Sequence, residues 1–134
     1  MTKTAFLFAG QGAQYLGMGR DLYDKYPIVK ATIDQASQLL GYDLREIIDH
    51  EESKLNQTRY TQPAILATSV AIYRLLQEKG YEADMVAGLS LGEYSALVAS
   101  GALDFEAAIA LVAKRGAYME EAAPAGSGKM VAVL

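Results

Sequence analysis

The chain has 134 residues, enough for one domain with its own core, and 51% of them are hydrophobic. Lys and Arg total 12 against 16 Asp and Glu, a net charge of −4 with no basic block, which argues against nucleic acid and anionic membrane surfaces as partners. The absence of cysteine removes disulfides, a thiol nucleophile and thiolate metal sites together, and leans towards the cytoplasm.

Thr4 to Ala9 (TAFLFA) is a short apolar run closed by Gly10, the pattern of a buried strand. At about five residues it is too short for a signal peptide's apolar region, and no stretch approaches the roughly 20 residues of a membrane span. Gly10 to Gly19 is a glycine-rich loop. Asp21 to about Leu40 reads as helix in two pieces, the second begun by Pro27 and ended by Gly41, with an inner face of Ile28, Ala31, Ala36, Leu39 and Leu40. Asp43 to Asp49 reads as a short helix and Glu51 to Thr61 as a polar connection. Pro63 is expected to open a longer helix to about Lys79, buried along Ile65, Leu66, Ser69, Ile72, Tyr73 and Leu76. Asp84 to Leu89 is the second strand candidate, Gly92 to about Ser100 a small-residue helix, and Asp104 the cap of a further helix to about Ala122. After a flexible break at Pro124 to Lys129, Met130 to Leu134 (MVAVL) is expected to begin a third strand. Strands separated by helices imply an α/β fold with a parallel sheet and crossover helices. The sequence stops inside that third strand, which reads as a cut.

Gly88-Leu89-Ser90-Leu91-Gly92 matches G-x-S-x-G with a strand before it and a helix after it. Such a turn holds a nucleophile in a strained backbone at the strand's tip, and flanking glycines let strand and helix approach. The backbone amide of Leu91, at the start of the helix, is then an oxyanion donor. The alternative is a loop serine that caps the Gly92 helix. Gly10-Gln11-Gly12 is not a dinucleotide loop, because Tyr15 stands where the third glycine belongs. Loops at the carboxyl ends of parallel strands converge on one rim, so the amide of Gln11 is a candidate second donor beside Ser90; a turn without catalytic duty fits the spacing equally.

Phe105, Ala108, Val112 and Met119 repeat at helical spacing, and Arg115 lies at the edge of their stripe. An arginine tied to an inner face needs an anionic partner: a carboxylate held in its fork, or an internal ion pair. Lys114 points elsewhere. A serine nucleophile also needs a base. The single histidine, His50, lies well before Ser90, whereas elbow folds carry theirs after the serine, so it reads as a surface residue and the base lies outside these residues.

FAGQGAQ, TQPAI, GLSLGEYSAL and KRGAYMEEA stand in an order and spacing that resemble the malonyl-CoA:acyl carrier protein transacylases and the acyltransferase domains of fatty acid and polyketide synthases. The resemblance covers roughly the first two fifths of such an enzyme, whose domains run to about 300 residues. It implies a hydrolase-like α/β core with an inserted ferredoxin-like subdomain, residues 1–126 belonging to the core and 127–134 to the first strand of the insert. It implies that Ser90 carries the malonyl group, that the amides of Gln11 and Leu91 hold the oxyanion, and that Arg115 pairs with the malonyl carboxylate. Malonyl-CoA would be the substrate and acyl carrier protein the acceptor, an acidic partner that calls for a local basic patch. No metal and no bound cofactor is implied. The family's catalytic histidine falls beyond Leu134, so a chain that ended there is expected to be inactive. Leu89 departs from the histidine that many members have at this position, and as a residue lining the acyl pocket it bears on extender choice. A polyketide-type acyltransferase, a serine thioesterase and a non-catalytic domain are the competing readings.

Overall fold

Alternating apolar runs and helical stripes build a helical body against one face of a two-stranded parallel sheet. The computed structural model describes residues 2–134, and its elements are β1 (Ala5–Phe8), α1 (Arg20–Lys25), α2 (Pro27–Leu40), α3 (Leu44–His50), α4 (Glu52–Leu55), α5 (Thr58–Glu78), β2 (Met85–Gly88), α6 (Gly92–Ala99) and α7 (Phe105–Ala122). β1 and β2 pair in parallel, from Ala5 opposite Met85 to Phe8 opposite Gly88, so the loops after both strands leave from the same edge.

Local chemistry sets most boundaries. Tyr26 precedes Pro27, is extended, and divides α1 from α2, as the ring of a following proline requires. Gly41 closes α2 in the left-handed region, its amide donating to the Ser37 carbonyl at 2.9 Å. Asp43 caps α3 by accepting from the Glu46 amide at 3.1 Å.

α5 starts five residues earlier than expected, and Pro63 lies inside it. The proline removes one helical donor, but the turn before it is secured independently. The amides of Tyr60 and Thr61 both donate to the Gln57 carbonyl at 2.8 Å, and the Thr61 hydroxyl lies 2.5 Å from the Leu55 carbonyl oxygen. The connection before α5 likewise holds a helical turn, α4, whose Leu55 is buried.

α5 is the spine, packed against α2, α6 and α7. Ile33, Leu44, Ile48, Leu66, Val70, Ile109 and Val112 form the centre of the core. The inner face of α2 is rotated from the expected one: Val29, Thr32, Ile33 and Ala36 are buried, while Ala31 and Leu39 are exposed. The buried face of α5 is likewise shifted towards Thr61–Ala67, Val70, Ala71 and Leu75, with Ile72 outside. Arg45 and Asp49 form a nearly buried pair on α3, and Arg20 adds a second contact at 2.7 Å. Burial pushes the Asp49 carboxyl up, but the hydrogen bonds from Arg45 and Arg20 outweigh it and hold it below the ordinary range.

The strands are half covered, not buried. Phe6 and Phe8 pack edge-to-face on Tyr73 of α5, with ring centroids 6.2 and 6.3 Å apart. On the opposite face Leu7 is 80% exposed. Residues 130–134, expected as strand, carry no regular secondary structure and are exposed. They have no neighbouring strand to complete a ladder. No helix among the described residues is long and apolar enough to cross a membrane.

Candidate active site

Ser90 is the second residue after β2, and α6 begins two residues later. A turn this abrupt needs room and a rare backbone. A Cβ on Gly88 would overlap the backbone of Gly92 and Glu93, and one on Gly92 would overlap the Phe8 carbonyl. Ser90 has φ 53°, the only positive value at a non-glycine among the described residues. That strained conformation lifts its side chain clear of the sheet. The hydroxyl does not cap α6, whose N-cap position is Leu91 and which has no side-chain cap. It accepts instead from Arg115 Nη2 at 3.2 Å.

The loop after β1 meets the elbow closely. Gly10 is buried so tightly there that a Cβ would overlap the Leu89 carbonyl and stand 3.7 Å from the Leu91 amide nitrogen. Two side chains fasten this loop to the start of α5: Gln11 Nε2 donates to Thr58 Oγ1 and Gln14 Nε2 to Asn56 Oδ1, both at 3.0 Å. Neither the Gln11 nor the Leu91 backbone amide donates to any described residue. Leu91 is fully buried as a side chain, whereas Leu89 is 77% exposed beside Ser90.

Arg115 reaches the elbow from α7. Its Nη1 donates to Gln62 Oε1 at 2.8 Å, and its Cζ stands 5.3 Å from the Tyr94 ring centroid. No carboxylate among the described residues lies within 4.0 Å of it, so the internal ion pair considered from periodicity is not formed here. The guanidinium is framed by an amide, an aromatic face and a hydroxyl, and its charge is not neutralised. Periodicity alone did not mark Gln62 or Tyr94, although Gln62 stands three residues before Ile65 on the buried face of α5. His50 is exposed at the end of α3 and makes no hydrogen bond to Ser90.

The arrangement therefore joins a strained exposed hydroxyl, two unengaged amides on its flanking loops and an unpaired cation. Residues 5–134 match the acyl transferase domain. The chain belongs to the acyl transferase family. This family member is 48% identical over 135 residues to the malonyl CoA-acyl carrier protein transacylase of Bacillus subtilis (strain 168), covering 100% of the chain and 43% of that relative. Its fold matches a crystal structure of MCAT from Streptococcus pneumoniae with a TM-score of 0.90 and 89% identity, over 91% of this chain and 40% of that one. It also matches a malonyl-transacylase in complex with its type II PKS acyl-carrier protein, with a TM-score of 0.88 and 51% identity, over 92% of this chain and 40% of that one. The chain thus spans less than half the length of the relatives it matches.

Proposed function

We propose that this chain is the N-terminal part of a malonyltransferase that moves a malonyl group from malonyl-CoA to the phosphopantetheine thiol of acyl carrier protein in fatty acid biosynthesis. The observation that carries the reading is Arg115, a cation without a carboxylate partner, 3.2 Å from the hydroxyl of a strained elbow serine. A plain esterase has no use for a cation there, whereas an acyl group ending in a carboxylate does.

Ser90 Oγ attacks the thioester carbonyl carbon and its proton passes to a histidine, which the family resemblance puts beyond Leu134. The Gln11 and Leu91 amides hold the oxyanion, the C–S bond breaks, and CoA leaves with the proton. The pantetheine thiol then loses its proton to the same base and attacks the Ser90 ester, and Ser90 Oγ takes the proton back. Arg115 grips the malonyl carboxylate throughout, and Leu89 lines the acyl pocket and tunes extender choice. In this reading no metal or cofactor is needed, the protein works in the cytoplasm, and residues 1–126 form part of a hydrolase-like core. Residues 127–134 lead into a ferredoxin-like subdomain. The curated relative's name and the carrier-protein complex of the solved relative support the choice of substrate and acceptor.

Incubating the full-length protein with malonyl-CoA, then with phosphopantetheinylated acyl carrier protein, tests the reading. Malonyl-loaded carrier is expected as the main product. Free malonate as the main product would favour a thioesterase.

A further inference from the structure

Gln62 has 0% of its surface exposed, and a buried primary amide must find partners for both of its ends. It finds both on α7. Its oxygen accepts from Arg115 at 2.8 Å, and its nitrogen lies 3.2 Å from the Met119 sulfur. A guanidinium has only donors, so the amide oxygen must be the end that faces it. The two helices come close enough because position 116 is glycine: a Cβ there would stand 2.8 Å from the Thr58 carbonyl oxygen and 2.9 Å from Arg59 Cα.

A neutral acceptor at this position has a consequence for charge. A carboxylate would hold the guanidinium at least as well, and Arg20, Arg45 and Arg59 are all held that way. It would also cancel the cation. We propose that Gln62 is a positioning residue that aims Arg115 at Ser90 while leaving its full charge for the carboxylate of the acyl group, so that acyl selectivity depends on position 62 being neutral. This deepens the reading of Ser90 and Arg115 given above and rests on it.

The test is the ratio of malonyl to acetyl acylation in single-turnover reactions of the full-length protein with each CoA ester. Gln62→Glu is nearly isosteric and pairs with Arg115 in advance. It is expected to cut malonyl acylation about tenfold or more, on the scale of one charged hydrogen bond, and to leave acetyl acylation within about twofold. Gln62→Met keeps the length and adds no charge, so its malonyl loss should fall between wild type and Gln62→Glu. Thermal melts identify variants that fold. A folded Gln62→Glu with an unchanged malonyl-to-acetyl ratio overturns the proposal, as does a parallel loss of both acyl groups. Should Gln62→Glu not fold, the ratio in Gln62→Met decides in the same way. Failure of the wild-type protein to form a malonyl ester at Ser90 would overturn the underlying reading instead, which keeps the two failures apart.

Discussion

Replacing Ser90 by alanine and by glycine should reveal the strain stored at the elbow. Both changes remove the hydroxyl and its contact with Arg115, so their difference isolates the backbone. With φ at 53°, alanine keeps the left-handed penalty that glycine lacks. That penalty is about 1–2 kcal/mol, against about 0.5–1 kcal/mol of extra unfolded-chain entropy for glycine. Ser90→Gly should therefore be more stable than Ser90→Ala by about 0.5–1 kcal/mol. The internal control is Ala110→Gly, at an exposed interior position of α7, where glycine should instead cost about 1 kcal/mol. Urea denaturation of the full-length variants measures both differences. If Ser90→Gly proves less stable than Ser90→Ala, as in the control, the elbow stores no strain.

Arg115→Ala should lower malonyl kcat/KM by about 10–100-fold while sparing acetyl transfer, the loss of a charged hydrogen-bonded contact. Equal loss with both acyl groups would make the arginine structural. Asp49→Asn leaves the nearly buried Arg45 without its anion and should cost about 2–3 kcal/mol at neutral pH. Because the folded-state value of Asp49 is depressed, its stabilisation is present above the unfolded value of about 3.9 and is lost as pH falls through the lower folded value. The gap between wild type and Asp49→Asn in urea midpoints should accordingly shrink below about pH 4, and a gap that stays constant down to pH 2 would refute the linkage. Gly92→Ala must push α6 off the Phe8 carbonyl, so a melting temperature and acylation rate equal to wild type would contradict the close packing at the elbow.

The strand-turn-helix at Ser90 was legible because its signals are local: a short apolar run, two glycines and small residues after them. The same holds for Pro27, Gly41 and Asp43, each of which acts on its own helix end. The sequence is less legible where a distant or atypical contact decides. Pro63 carries the usual sign of a helix start, yet Thr61 and the Gln57 carbonyl build a turn ahead of it. The coverage of β1 depends on Tyr73, which is 67 residues from Phe6, and only one face of the strand receives it. Periodicity put Arg115 at the edge of an apolar stripe but had no means to choose its partner. That partner, Gln62, lies 53 residues earlier on another helix and is an amide, not an acid.

The central claim is that Ser90 carries a malonyl ester. Peptide mapping by mass spectrometry, after brief exposure of the full-length protein to equal amounts of malonyl-CoA and acetyl-CoA, tests it most directly. A malonyl adduct is expected on the Ser90 peptide, in excess over acetyl and absent from Ser90→Ala. Label on another residue, or equal labelling of Ser90→Ala, would contradict it.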